Sequence, residues 1–205
     1  HEPNPVTNYG KSKLLAEESI RKQCQLFNMS FTILRLPLIY GPDAPGNFGL
    51  IQSVIKKNIP LPFKYVKNIR TMAYVENVTA FIEYCLSFKE GLHTYNYIDK
   101  PDLDMNSLVK NVRKILFKKN NIGVRLPAFI GVFGGYVADL ISLLIQKSLP
   151  VSSIRIKKFM GTTQFNSSID KTNFIAPITL EKGLAKTIRY EFIEDNSSNR
   201  IFKTE

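Results

Sequence analysis

Cysteine is scarce: Cys24 and Cys85 lie far apart, with no metal-ligand spacing around either. A disulfide scaffold and a zinc module are excluded, and both residues read as core thiols of a reduced, intracellular protein. Histidine is as sparse. His1 and His93 have no Cys, Asp or Glu at ligand spacing, so no metal site is expected. Acidic residues are the minority, 17 Asp+Glu against 28 Lys+Arg, for a formal net charge of +11. The basic residues come as pairs, such as Lys56-Lys57, Lys118-Lys119 and Lys157-Lys158, never as a block of five or more like charges. The pattern reads as a solvated basic surface, not as a nucleic-acid arm, and it suits a small anionic substrate carrying a diphosphate. No specific nucleic-acid partner is expected. The chain shows no internal repeat, no initiator Met and no secretory signal. Its opening His1-Glu-Pro-Asn-Pro has the character of mid-loop, so the expectation is a fragment or matured piece, cytoplasmic in location.

What is present suffices for a core: 205 residues, 44% hydrophobic and 11% aromatic, outside the compositional range of disorder. Pro3, Asn4, Pro5 and Thr7 hand over to apolar residues at helical spacing, Leu14, Leu15, Ile20, Cys24 and Phe27, which predict a helix from Asn8 to Phe27. Ser30 to Tyr40 is apolar nearly throughout, the pattern of a strand buried on both faces of a parallel sheet, and it ends in Gly41-Pro42. The alternation continues with a short helix near Phe48 to Lys57, a strand at Arg70 to Val75, a helix from Glu76 to Leu86 and a strand at His93 to Ile98. Then come a helix capped by Asp104 or Asn106 and running through Lys118, a short strand at Val124 to Leu126, and an amphipathic helix from Leu180 to Phe192. This is an α/β open-sheet pattern, in which ligands sit beyond the carboxyl ends of the strands; Leu38 to Asn47 becomes a candidate site wall.

One long apolar run stands apart. Leu126 to Ile145 has the length of a membrane span and a single charge, Asp139. Pro127, the glycines at 131, 134 and 135 and the cost of Asp139 in lipid favour a buried or surface-docked helix, ahead of a membrane-interface helix and, last, a true span.

The sharpest chemical feature is Tyr9-Gly10-Lys11-Ser12-Lys13, with a Tyr and a Lys four residues apart at the start of a predicted helix, hence on one face. An ammonium close to a phenol favours the phenolate, which makes the pair a general acid/base able to exchange a sugar hydroxyl proton. A Tyr-x-x-x-Lys string alone is also a common solvated helix face.

The longer pattern Pro5-x-Thr7-x-Tyr9-Gly10-x-Ser12-Lys13-x-x-x-Glu17, followed by Leu34-Arg35-Leu36-Pro37-Leu38-Ile39-Tyr40-Gly41-Pro42, resembles the extended short-chain dehydrogenase/reductase family. Within it the chain looks like the nucleotide-sugar epimerases, dehydratases and 4-keto-sugar reductases. Gly46-Asn47-Phe48, Ile59-Pro60-Leu61-Pro62-Phe63, Asn68-Ile69-Arg70-Thr71, Tyr74-Val75-Glu76-Asn77-Val78 and Pro177-x-Thr179-Leu180-Glu181-x-Gly183-Leu184 extend the likeness over nearly the whole chain. The Pro-Leu-Pro-Phe and Asn-x-Arg-Thr elements look most like the branch of UDP-N-acetylquinovosamine-type 4-keto reductases, close to UDP-galactose 4-epimerase.

The resemblance implies the C-terminal part of a Rossmann-type parallel sheet plus a small mixed α/β substrate-binding lobe. Residues 1–45 would end the dinucleotide-binding domain, and 46–205 would form mainly the lobe, with some segments returning to the Rossmann part. It implies NAD or NADP, with the main cofactor-binding half, its Gly-rich turn included, outside this sequence; these 205 residues alone are then expected to be inactive. Tyr9 would be the acid/base and Lys13 would contact the nicotinamide ribose and favour the Tyr9 phenolate. Pro37, Leu38 and Ile39 would line the nicotinamide, Asn47 and Arg70 would hold the substrate diphosphate, and Phe63 would lie near the uracil of a UDP-sugar. A homodimer packed through Leu15 to Phe27 is expected on the same ground. Two departures stand out: Leu38 replaces an Asn common in the family, and no second phosphate-binding arginine is evident around Phe159 to Phe165. The rivals are a non-catalytic nucleotide-sugar-binding or scaffold protein of the same fold, and a membrane-surface partner of glycan assembly docking through Leu126 to Ile145.

Overall fold

Thr7 starts the first helix, α1 (Asn8–Leu26): its extended backbone leaves the helix path and its hydroxyl accepts the Gly10 N–H at 3.1 Å. The computed structural model describes residues 3–44, 54–88, 90–147, 149 and 151–194, and of Pro62 and Phe63 the backbone. Along α1 the half-buried positions are Gly10, Leu14, Glu17, Arg21 and Cys24, one stripe at three- and four-residue spacing. Two of these five, Glu17 and Arg21, are charged and are satisfied by hydrogen bonds. Arg21 Nη2 donates to Thr94 Oγ1 at 2.6 Å, and Glu17 takes a two-pronged bond from Arg35. Leu15, Ile20, Leu26 and Phe27 face outward.

The predicted single strand from Ser30 to Tyr40 is two strands, β1 (Phe31–Arg35) and β2 (Leu38–Tyr40). Pro37 sits at the break, where it has no N–H for a ladder. The two strands then pair differently: β1 runs parallel to β5 (Leu92–Asn96) and β2 parallel to β4 (Met72–Tyr74). Burial on both faces is also corrected. Every residue of β1 is half-buried, and in β2 only Tyr40 is buried, since β1 has one hydrogen-bonded neighbour among the described residues. A third parallel pair joins β3 (Leu61–Lys64) to β6 (Arg125–Pro127). The three pairs are all parallel, as an α/β chain with helical crossovers requires.

The helices fill the crossovers. α2 (Val75–Cys85) follows β4 directly and buries Asn77, Val78 and Phe81. α3 (Met105–Phe117) is capped by Asp104, whose carboxylate accepts the N–H groups of Asn106 and Ser107 at 2.8 and 3.0 Å. α6 (Leu180–Phe192) packs on α3, and Tyr40, Met72, Tyr74, Leu108, Val112, Leu184 and Ile188 form the main core between these helices and β2–β4. Of the predicted helix from Phe48 to Lys57, residues 54–56 are helical and 48–53 lie outside the described residues.

α4 (Ala128–Ile145) packs on α5 (Ser153–Met160) and against β3 and β6, and it is surface-docked rather than buried. Its inward stripe is Ala128, Gly131, Val132, Gly135, Ala138, Asp139 and Ser142, while its large side chains point out. Gly135 is the one buried residue of the helix; a Cβ there would lie 2.7 Å from the Ser153 Cα, so only glycine lets the two backbones approach this closely.

Candidate active site

Gly10 allows the loop before α1 to fold back on the helix: a Cβ would come within 2.8 Å of the Pro5 Cβ and 3.2 Å of the Thr7 hydroxyl. The sequence run from Pro5 to Lys13 is therefore one turn-and-cap unit that presents Tyr9 and Lys13 together. The Lys13 ammonium lies 5.4 Å from the Tyr9 ring centroid. Tyr9 is 73% exposed, so its hydroxyl is open to a ligand. Three other tyrosines contrast with it. Burial first, and then the Asp99 charge for Tyr40 and Tyr97 or the Glu76 hydrogen bond for Tyr74, pushes these phenols well above the ordinary value, so they stay neutral core groups.

Glu17 and Arg35 fix where α1 stands on the sheet. Arg35 donates from Nε to Oε1 at 2.9 Å and from Nη2 to Oε2 at 2.6 Å, a fork-to-fork pair, and the Glu17 hydrogen bond raises the Arg35 pKa further against the lowering effect of burial. Arg35 ends β1, and beyond it a cleft of about 320 Å³ opens between the carboxyl ends of β1 and β5, walled by Pro3, Asn4, Leu36, Pro37, Ile98 and Phe165. The expected place for a ligand in a parallel sheet is this end. Pro37 is in the cleft wall. Leu38 and Ile39 lie on β2, partly exposed, and do not line that wall.

Arg70 begins a short crossing of three segments: its N–H donates to the Leu103 carbonyl at 2.8 Å, and it bridges Thr163 on its other side. Asn68 and Thr71 hold the crossing together. Asn68 Nδ2 donates to the Phe159 carbonyl at 2.9 Å while its Oδ1 accepts the Met105 N–H; the Thr71 hydroxyl accepts the Phe165 N–H at 3.1 Å. Residues 159–165 thus lie against Arg70. The Arg70 Nε is buried without a hydrogen-bond partner, and desolvation pulls its pKa down. A buried cationic donor left unpaired is costly, and an anionic ligand would relieve that cost. Of the remaining expected residues, Phe63 is on β3 and Asn47 lies outside the described residues.

Two groups that sequence reading passed over shape the region. Asp99, buried just past β5, accepts the Tyr74 N–H at 2.7 Å, Asn77 Nδ2 at 3.0 Å and the Tyr97 hydroxyl at 2.9 Å. Glu76, in the first turn of α2, accepts the Tyr74 hydroxyl at 2.7 Å and Lys186 Nζ of α6 at 2.7 Å. The Lys186 bond first and the Tyr74 bond second hold the Glu76 carboxyl below the usual carboxylate range. A depressed carboxylate contributes stability above its unfolded pKa, ~4.3, and loses it as pH falls through the lower folded value. Both Lys186 and Glu76 are about half exposed, so solvent screening leaves about 0.5 kcal/mol. Thermal unfolding of Glu76→Gln beside the parent is expected to show a small deficit at pH 7 that closes as the pH falls below the usual carboxylate range; a deficit that widens in acid would contradict this assignment.

Residues 1–97 match the NAD dependent epimerase/dehydratase family. The chain is 39% identical over 212 residues to the N-acetyl-alpha-D-glucosaminyl-diphospho-ditrans,octacis-undecaprenol 4-epimerase of Escherichia coli O157:H7, covering 100% of this chain and 63% of that protein. It is 26% identical over 197 residues to the UDP-glucose 4-epimerase of Vibrio cholerae, covering 94% of this chain and 56% of that one. Among solved structures, the UDP-glucuronic acid 4-epimerase from Bacillus cereus in complex with NAD superimposes with a TM-score of 0.64 at 17% identity, over 93% of this chain and 54% of that one. The chain thus spans between about half and two thirds of the length of these relatives.

Proposed function

We propose that this chain, whose residues 1–97 match the NAD dependent epimerase/dehydratase family, carries the acid/base helix and the diphosphate-binding part of an NAD- or NADP-dependent 4-epimerase. Its substrate is a hexose or N-acetylhexosamine held on a diphosphate. The observation that carries the reading is the Tyr9–Lys13 pair, an exposed phenol with an ammonium over its ring, on a helix entered from a loop whose Pro3 and Asn4 wall the cleft at the strand ends.

The residues present fit the nicotinamide end of the cofactor: a cation and an open phenol on one helical turn, and the apolar Pro37 in the cleft wall. The bound dinucleotide supplies the acceptor and donor of the C4 hydride. Tyr9 Oη takes the C4 hydroxyl proton as the hydride leaves and returns it when the hydride comes back to the opposite face. Lys13 sets a positive charge beside the phenolate at that moment. Pro37, with Leu38 and Ile39 beyond it, is assigned to the nicotinamide side, and Asn47, Phe63 and Arg70 to the substrate side. Arg70 suits the diphosphate, since its buried Nε lacks a partner. The carrier beyond the diphosphate is UDP by the sequence resemblance, or a polyprenol by the name of the 39% relative. Leu15, Ile20 and Phe27, exposed along α1, support a homodimer through this helix, and a cytoplasmic location is part of the same reading.

The test is C4 inversion by the complete gene product supplied with NAD and either UDP-N-acetylglucosamine or polyprenyl-diphospho-N-acetylglucosamine, with the sugar identified after acid release. Conversion of one carrier form is expected; conversion of neither would sink the reading. Arg70→Ala is expected to raise KM for the converted substrate about 10–100-fold with a smaller change in kcat, the loss of one charge-assisted contact. An unchanged KM would remove Arg70 from the diphosphate site.

A further inference from the structure

We propose that α4 is a membrane-docking helix, its outward face seated in the headgroup region of an anionic bilayer while its inward face stays on α5. The distribution of side-chain size carries the argument. A surface helix of a soluble protein normally turns its large apolar residues inward. Here the inward stripe is Ala, Gly and Ser with Val132 and Asp139, and the outward face holds Phe129, Phe133, Leu140, Leu143 and Leu144, with Phe133 70% and Leu144 74% exposed. The helix has a mean hydropathy of 2.0 over its 18 residues, and only 6% of it is buried. So large an apolar face marks an interaction site.

Charge selects the occupant. Residues 125–160 carry Arg125, Lys147, Arg155, Lys157 and Lys158 against one acid, Asp139. Asp139 is already engaged with Ser153, accepting both its N–H and its hydroxyl. A second copy of the chain would set these basic residues against their own like charge, whereas anionic headgroups neutralise them. Lys157 Nζ lies 4.9 Å from the Tyr136 ring centroid and donates to its hydroxyl at 2.7 Å; an aromatic and a lysine paired at the edge of an apolar face is the arrangement of a bilayer-surface anchor. The packing favours docking over a span: inserting α4 across the bilayer would strip Gly135 and Asp139 from α5 and carry the carboxylate into hydrocarbon.

The proposal stands on α4 alone and not on the reaction assigned above. Where the two meet, α4 packs on β3, the strand of Phe63, so docking would hold the substrate side at the plane where a polyprenyl-linked sugar lies.

The experiment is flotation of the purified complete gene product with phosphatidylcholine vesicles and with vesicles also containing phosphatidylglycerol. Binding to the anionic vesicles, weakened by salt and released by alkaline carbonate, is expected. A Phe133→Ser/Leu144→Ser double variant is expected to lose on the order of tenfold or more in lipid partition while keeping the parent circular dichroism, because both side chains are exposed in the fold. The proposal is overturned if the parent stays in the bottom fraction, if the variant floats as the parent does, if carbonate fails to release the protein, or if the double variant abolishes a dimer formed without lipid. Tyr9→Phe is expected to float like the parent whatever its catalytic fate, which separates failure here from failure of the epimerase reading.

Discussion

Tyr9→Phe in the complete gene product is expected to cut C4 epimerisation by about 10²–10⁴-fold, the usual contribution of a positioned acid/base. The loss falls on kcat, because the substitution removes one oxygen and leaves the ring beneath the Lys13 ammonium. Stability should stay within about 0.5 kcal/mol, as for other exposed substitutions, since Tyr9 is largely in solvent and lies outside both buried clusters. Lys13→Met then makes a second test of the same pair. It leaves the phenol in place but removes the charge beside it, so kcat should fall while the unfolding behaviour stays that of the parent. A Tyr9→Phe protein that turns over like the parent would move the acid/base away from α1 and with it the case for epimerase chemistry at this cleft. Because the phenol is exposed, an inactive variant with parental unfolding behaviour cannot be ascribed to misfolding.

The local units of this fold were legible because their causes are local. Thr7 caps α1 three residues from the Gly10 N–H, and Asp104 caps α3 within three residues, so residue types at short spacing carried both starts. The strand at 30–40 misled for a related reason. Apolar residues run through Pro37, and the break shows only when β5 and β4, far away in sequence, claim the two halves. In α4 hydropathy was plain and orientation was not, because Gly131, Gly135 and Ala138 read equally well as weak helix formers and as a packing stripe; α5 decides between them. Arg70 was visible within Asn-x-Arg-Thr, but its buried, unpaired Nε depends on Leu103 and Thr163 arriving from elsewhere. Asp99 carried no signal, since an acid after a strand resembles any turn residue and its donors sit more than twenty residues upstream, apart from Tyr97.

Asp99→Ala is expected to be among the most destabilising single changes, about 3–5 kcal/mol, because it strands three buried donors at once. The Tyr74 N–H, the Asn77 amide and the Tyr97 hydroxyl all point at one carboxylate. Tyr74 is the N-cap of α2 and Asn77 lies in its first turn, so the negative charge also sits where the helix dipole favours it. Asn77 passes the constraint on, bonding both the N–H and the carbonyl of Ile178 just ahead of α6. Asp99→Asn separates hydrogen bonding from charge. One amide oxygen can still accept from Tyr74 and Asn77, and the Tyr97 hydroxyl can turn to accept from the amide nitrogen, so a loss of only about 1–2 kcal/mol is expected. Chemical denaturation of the three proteins tests the order, and an Asp99→Ala midpoint close to that of the parent would dismiss Asp99 as the hub. The consequence reaches the site, because Tyr97 and Ile98 border the cleft beside Pro37. Even the milder Asp99→Asn should therefore weaken ligand binding there, through a cleft wall that has lost its fixed position and not through any contact with the ligand.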